Sequence, residues 1–95
     1  MSWIFEINDN TGRKIHLSQQ QWAHIVQDHP TLSGKLEDIK EVLLHPLLIR
    51  QSYDDVAVWF YYRWDKHISS YLMVVVKYLN GEGFVLTSLP VRTLS

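Results

Sequence analysis

The chain has no cysteine among its 95 residues. Disulfides, thiolate zinc sites and a cysteine nucleophile are therefore excluded together, and the fold must be held by packing alone. No apolar run approaches the roughly 18 residues that a membrane-spanning helix needs, and no signal-peptide pattern opens the chain. These absences favour a cytoplasmic protein without a membrane partner.

A surplus of positive charge is also missing, because nine Lys and Arg residues stand against ten Asp and Glu residues. Proteins that bind the nucleic-acid backbone over a broad surface usually carry a basic surplus. A nucleic-acid role would therefore have to rest on a local patch. Aromatic residues, in contrast, are abundant, with four Trp, five Tyr and three Phe.

The length is sufficient for one modest hydrophobic core, so residues 1–95 are expected to form a single domain. An opening β-hairpin is predicted within residues 1–17, because apolar-rich segments at 3–7 and 13–17 flank a cluster of turn-forming residues. Two helices are predicted within residues 18–46, and an antiparallel sheet within residues 47–95.

Local signals place the ends of the two predicted helices. Ser18 followed by Gln21 forms a capping-box pattern, so the first helix should run from residue 19 to about residue 29, where Pro30 ends it. The second helix is predicted over 34–44 with Ser33 as its cap, since acidic residues occupy its first turn and apolar residues recur at helical spacing.

Four strands are predicted at 47–53, 56–64, 71–79 and 84–91, where β-branched and aromatic residues alternate with turn signals. The predicted order of the secondary-structure elements is therefore ββααββββ. The expected fold class is α+β, with two helices packed on a mainly antiparallel four-stranded sheet that the β-hairpin precedes.

The last predicted turn decides which side chains face one another. Asn80-Gly-Glu-Gly83 suits a type I turn closed by a left-handed glycine, and in that register Lys77 lies directly opposite Thr87. A cation and a hydroxyl would then share one face of the sheet. A two-residue turn would instead pair Val76 with Thr87 and send Lys77 to the other face.

Two histidines, His24 and His29, fall in the first predicted helix. They lie about 140° apart around a regular helix, whereas helical metal ligands need a spacing of three or four residues. No metal and no cofactor are therefore expected. His29 falls on the apolar side and His24 on the polar side, and a structural role for each is as well supported by local sequence as a catalytic one. We interpret His16 as an ordinary strand residue, His45 as a helix-end residue and His67 as a turn residue.

Several short motifs follow one another in a recognisable order. They are W-x-H-I-x-x-x-H-P at 22–30, H-P-x-x-I-x-Q-S at 45–52, Y-Y at 61–62, Y-L-x-V-V-V-K at 71–77 and G-F-V-L-T at 83–87. In this order the chain resembles the phage- and mobile-element-associated branch of the barnase–EndoU–colicin–RelE-like (BECR) nucleases. The resemblance extends over about residues 20–89 and leaves the opening hairpin uncovered.

The resemblance implies a metal-independent ribonuclease, often a toxin or a phage-linked effector, whose active site lies on the open face of the sheet. RNA would be the substrate, and an antitoxin or immunity protein a further partner; the oligomeric state is left open. Carried over to this chain, the resemblance gives the catalytic residues His24, His29, Lys77 and Thr87. The implied substrate contacts are Tyr61, Tyr62, Arg63 and Ser88.

Those residue types suit the reaction. RNA cleavage without a metal needs a base for the 2′-hydroxyl, an acid for the leaving 5′-oxygen, and cations or hydroxyl donors for the phosphate. Histidine can serve as base or acid near neutral pH, and the sequence does not assign the two roles. The alternative hypothesis is a non-catalytic module that binds protein or nucleic acid through its aromatic residues. The near-neutral charge and the Ser88-Leu-Pro90 segment after the threonine favour that alternative.

Overall fold

The opening hairpin forms where the sequence predicts it. In the computed structural model, which describes residues 2–94, β1 (Trp3–Asn8) pairs antiparallel with β2 (Lys14–Ser18). The Asp9 carboxylate organises the intervening turn, because it accepts hydrogen bonds from the backbone N–H groups of Thr11 at 2.8 Å and Arg13 at 3.0 Å. An Asp side chain that binds the backbone in this way is a common turn former.

The first helix, α1 (Gln19–Asp28), begins as predicted. The Ser18 hydroxyl accepts the backbone N–H of Gln21 at 3.1 Å, and so satisfies one of the donors that a helix start leaves free. Pro30 ends the helix, but it also begins a 3₁₀ turn (Pro30–Leu32) that the sequence did not reveal.

The second helix, α2 (Leu36–Leu44), starts two residues later than predicted. The Ser33 cap is wrong, because Ser33 closes the 3₁₀ turn and Lys35 occupies the N-cap position without a side-chain cap. Lys35 instead directs its ammonium group at the carboxylate of Asp65, which ties the start of α2 to the end of a strand.

The remaining strands are β3 (Leu48–Gln51), β4 (Val58–Asp65), β5 (Ser70–Leu79) and β6 (Glu82–Val91). The predicted α+β class, with two helices on a mostly antiparallel sheet, is confirmed. The predicted four-stranded sheet is wrong: β2 pairs in parallel with β6, which makes one six-stranded sheet of order β1-β2-β6-β5-β4-β3. The hairpin joins because Ile15 and Leu17, both fully buried, need the same core as the other strands.

The predicted register of the last hairpin is also wrong. Asn80 (φ 54°) and Gly81 (φ 83°) form a two-residue turn of the kind that favours positive φ at both positions, so Lys77 lies opposite Phe84 rather than Thr87. The register then shifts between Val75 and Val76, which places Thr87 opposite Val75. Because this bulge adds one residue to β6, Lys77 and Thr87 still project from the same face.

The helices cover only one face of the sheet. Their buried residues Ile25, Ile39 and Leu43 belong to one hydrophobic core with Leu72, Val74 and Val76 of β5. The side chains that alternate with these on each strand project from the opposite face, which no helix of residues 2–94 covers. We call this opposite surface the open face. No helix in the described part of the chain is long and apolar enough to cross a membrane.

Gly83 allows a close approach between strands. A Cβ atom at this position would lie 2.9 Å from Tyr78 Cε1, 2.9 Å from Val76 Cγ1 and 3.2 Å from Ile15 Cγ1. The absence of a side chain therefore leaves room for the Tyr78 ring beside the backbone of β6. Without that room, the core on either side of β6 would have to shift.

We expect Gly83→Ala to lower the free energy of unfolding by about 1–3 kcal/mol, because the added methyl group overpacks a filled core. Gly34→Ala is the matched control, since nothing lies within 4 Å of a Cβ atom built there. It should change stability by no more than about 0.5 kcal/mol. Urea unfolding followed by tryptophan fluorescence measures both. Equal stability of the two variants would contradict the packing argument.

Candidate functional site on the open face

The open face is built from alternate residues of the six strands and is largely apolar. Phe60 lies opposite Val75 on one side and opposite Arg50 on the other, and Tyr62 lies opposite Met73 in the neighbouring row. Directly opposed residues on adjacent strands project from the same face. This part of the open face is therefore a surface of aromatic and aliphatic side chains.

Lys77 and Thr87 are the two predicted catalytic residues that the structure brings together on this face. Thr87 is partly buried and stands opposite Val75, two residues along β5 from Lys77. The two side chains therefore occupy adjacent cross-strand rows on the open face. They share a face because the bulge in β6 offsets the two-residue turn, which without the bulge would have placed Thr87 opposite Val74 on the helix-covered side.

The Lys77 ammonium group is already held by a carboxylate. Its Nζ lies 3.1 Å from Asp55 Oδ2, and 36% of the lysine side chain is exposed. The backbone N–H of Ala57 and the Lys77 ammonium group together lower the pKa of Asp55, so that this carboxyl is ionised at neutral pH. Asp55 thus orients Lys77 and also competes with any anion that approaches it.

Arg50 is another cation on the open face, and sequence reasoning missed it. It projects beside Phe60 from the edge strand β3, and its Nη1 donates a hydrogen bond to the carbonyl of Leu94. The sequence signal that could have found Arg50 is the alternation of residues along β3, which places it on the same face as Phe60 and Thr87. With Lys77 and Arg50, the open face presents two cations on either side of an aromatic ring.

The predicted helix histidines lie on the other side of the sheet. His24 is exposed in the middle of α1, and His29 is half-buried at its C-terminal cap. The helix contributes Ile25 to the core on the helix-covered face. The exposure of the two side chains agrees with the predicted apolar side for His29 and polar side for His24. Neither imidazole, however, lies on the same face of the sheet as Lys77 and Thr87.

The histidine that does stand on the open face is His16. Its Nδ1 lies 3.0 Å from Glu6 Oε2 and its Nε2 lies 2.7 Å from Glu82 Oε1, while the ring packs between Trp3 and Phe84. Only 4% of the side chain is exposed. Because both ring nitrogens face carboxylates, His16 joins β1, β2 and β6 and leaves little imidazole surface for a substrate.

The predicted substrate contacts divide between the two faces. Tyr62 is on the open face, although only 7% of it is exposed. Tyr61 and Ser88 are buried on the helix-covered side, where the Ser88 hydroxyl donates a 2.8 Å hydrogen bond to the Met73 carbonyl. Arg63 is exposed on that side and donates to the His45 carbonyl at 2.7 Å. Of the four, Tyr62 alone accompanies Lys77 and Thr87.

A buried polar network lies on the helix-covered side. Tyr78 donates a 3.0 Å hydrogen bond to Asp9 Oδ2, and the Tyr61 and Tyr78 hydroxyl oxygens are 2.5 Å apart. Burial raises the pKa of Asp9, but hydrogen bonds from Thr11, Arg13 and Tyr78 outweigh it and lower the pKa below its usual value. Asp9 is therefore an ionised, fully engaged acceptor.

Among residues 2–94, no group of three or more His, Asp or Glu side chains is arranged to hold a metal ion. Comparisons with protein-family models, with curated proteins and with solved structures found no match to this chain.

The lowered pKa of Asp9 gives a pH-dependent prediction. A carboxyl whose pKa is lower in the folded than in the unfolded state contributes stability above its unfolded pKa, and loses that contribution as the pH falls through the folded value. At neutral pH, Asp9→Asn should therefore lower the free energy of unfolding by about 1–3 kcal/mol. The difference from wild type should shrink as the pH falls below the ordinary pKa of an Asp side chain toward the lowered folded value, where Asp9 itself becomes protonated.

Urea unfolding at a series of pH values measures the difference in the free energy of unfolding between Asp9→Asn and wild type. Asp28→Asn, at an exposed position at the end of α1, is the control and should show no comparable loss at neutral pH. If the difference between Asp9→Asn and wild type stays constant at all pH values, the claim that Asp9 is ionised in this network is contradicted.

Proposed function

We propose that the chain is a metal-independent ribonuclease that binds RNA on the open face of its sheet. The observation that carries the proposal is the placement of Lys77 and Thr87 on that face, together with Arg50 and the Phe60 ring. Cations and a hydroxyl donor are the groups that stabilise a phosphate as negative charge develops on it. Aromatic rings provide stacking surfaces for unpaired bases, which RNA exposes in single-stranded regions.

In this proposal, a base removes the proton of the 2′-hydroxyl, and the 2′-oxygen attacks the adjacent phosphorus. The bond from phosphorus to the 5′-oxygen then breaks, and an acid protonates that oxygen, which leaves a 2′,3′-cyclic phosphate and a 5′-hydroxyl. Lys77 and Thr87 contact the non-bridging phosphate oxygens. Asp55 keeps the Lys77 ammonium group close to the sheet, so a phosphate binds there by sharing or displacing that carboxylate.

The proposal assigns proton transfer to the helix histidines His24 and His29, as the family resemblance implies. Both imidazoles lie across the sheet from Lys77 and Thr87, whereas the 2′-oxygen, the phosphorus and the 5′-oxygen of one phosphodiester are neighbouring atoms. The four residues therefore do not meet at one phosphate in this arrangement, and the histidine variants test the role that the resemblance implies. A protein of this activity is proposed to serve as a toxin or phage-linked effector. An antitoxin or immunity protein that covers the open face would then be its partner.

The phosphate contacts are tested with Lys77→Gln and Thr87→Val, which keep the side-chain size but remove the charge and the hydroxyl. Each should lower kcat/KM on single-stranded RNA in EDTA by about 10- to 1,000-fold, as expected for a lost transition-state contact. Lys66→Gln and Thr31→Val, at exposed positions away from the open face, are the matched controls. Full activity of both test variants, with unchanged melting temperature, would overturn the assignment.

The proton-transfer roles are tested with His24→Gln and His29→Gln. A residue that transfers a proton in the rate-limiting step should lower kcat by about 100- to 10,000-fold when replaced, and should remove one limb of the pH–rate profile. His67→Gln, in an exposed turn, is the control. If both helix variants keep wild-type rates and pH profiles, proton transfer belongs to another group.

A second function is favoured by one specific observation, the separation of the helix histidines from Lys77 and Thr87 by the thickness of the sheet. In this alternative, the open face binds RNA or a protein without cleaving it. Purified protein that binds single-stranded RNA, yet produces no cyclic phosphate from about pH 5 to about pH 9, would favour binding over catalysis. Replacing Phe60 with Ala should then weaken RNA binding, because the stacking ring is lost.

A further inference from the structure

A cavity of about 240 Å³ lies on the helix-covered side, away from Lys77 and Thr87. It opens between the β1–β2 turn, the end of α2 and strands β3 and β4. The residues that line it are Asp9, Asn10, Thr11, Arg13, Leu43, Ile49, Trp59 and Tyr61. Ligand sites for drug-sized molecules usually begin at about 300 Å³, so this cavity suits one small ring system.

The walls of the cavity are apolar and its polar groups carry no net charge. Trp59 and Tyr61 supply aromatic surface, and Leu43 and Ile49 supply aliphatic surface. The charges of Asp9 and Arg13 offset each other, since Asp9 Oδ2 lies 3.2 Å from Arg13 Nε. A neutral ligand is therefore favoured over an ion.

The hydrogen-bond network sets the polarity of the hydroxyl of Tyr61, one of the residues that line the cavity. The ionised Asp9 can only accept, so Tyr78 donates its proton to Asp9, and the Tyr78 oxygen in turn accepts from the Tyr61 hydroxyl at 2.5 Å. Burial raises the pKa of both tyrosines, which keeps both protons in place. Tyr61 has no proton left to offer, but its oxygen keeps a free lone pair.

We propose that this cavity binds a neutral, planar heteroaromatic ring that carries an N–H donor, with the ring against Trp59 and the N–H directed at the Tyr61 oxygen. The inference rests on the Asp9–Tyr78–Tyr61 chain and the apolar walls, and it does not depend on the ribonuclease proposal. Both an indole and a nucleobase have the required chemistry. Asn10 and Thr11, which are exposed at the mouth, would contact substituents of the ring.

Indole and N-methylindole are a matched pair of probes, since they differ in the N–H donor. Titration of ¹⁵N-labelled protein with each probe should shift the amide signals of Asn10, Thr11 and Trp59. Indole should bind about three- to tenfold more tightly than N-methylindole, which corresponds to one net hydrogen bond. Equal affinity for the two probes, or saturable shifts confined to other parts of the protein, would overturn the proposal.

Tyr61→Phe removes the acceptor and should abolish the preference for indole. Its melting temperature must show that the fold survives, and Tyr62→Phe is the matched control because the adjacent tyrosine projects from the open face. The control should keep the wild-type preference. Ile49→Trp provides a second variant, since Ile49 is 42% exposed and a larger side chain there can fill the cavity without entering the core. It should weaken indole binding at least tenfold, and undiminished binding would place the probe elsewhere.

Adenosine and N6,N6-dimethyladenosine extend the same comparison to nucleobases. If adenosine shifts the same amides and loses affinity on dimethylation, the ligand class is a nucleobase with an exocyclic N–H donor. If indole shows the preference and adenosine does not bind, the ligand class is a smaller non-nucleotide heteroaromatic ring. The ribonuclease assays with Lys77 and Thr87 variants are unaffected by either result.

Discussion

The hydrogen bond from Tyr78 to Asp9 joins the opening hairpin to the middle of the sheet, and much of the structure depends on it. Asp9 holds its own turn, pairs with Arg13 and receives the proton of a tyrosine on β5. The Tyr78 ring reaches Asp9 by lying beside Gly83, where any side chain would collide with it. A hairpin that pairs with β6 at only two positions is thereby also tied to β5 and, through Tyr61, to β4.

Because both helices pack on one face of the sheet, the molecule has two chemically different sides. On the helix-covered side, the polar groups are engaged with one another, and Tyr61 and Ser88 are used to hold strands together. On the open face, the cations Lys77 and Arg50 stand among aromatic side chains, and no further layer covers them within residues 2–94. Because cations and aromatic rings suit phosphates and bases, the open face is where we place RNA.

His16 illustrates why residue type alone is a weak guide to chemistry. It lies on the face where a catalytic histidine would be useful, yet two glutamates and two aromatic rings enclose it. These partners come from two strands, Trp3 and Glu6 from β1 and Glu82 and Phe84 from β6, and Glu82 lies 66 residues from His16. A burial of this kind depends on the parallel pairing of β2 with β6, which no local pattern in the sequence indicates.

The sequence by itself determined the elements whose signals are local. The Ser18 cap, the Pro30 stop, the opening hairpin and the α+β class all follow from short-range hydrogen bonding and from the period of apolar residues. Only the tertiary structure decided the start of α2, the six-stranded sheet and the pairing of Lys77 with Phe84. These depend on contacts between distant segments, on one bulge and on competition between two possible turns. The candidate site belongs to the second group: Lys77 and Thr87 share a face because the bulge in β6 offsets the two-residue turn, and the relation of His24 and His29 to that face depends on which side of the sheet the helices pack.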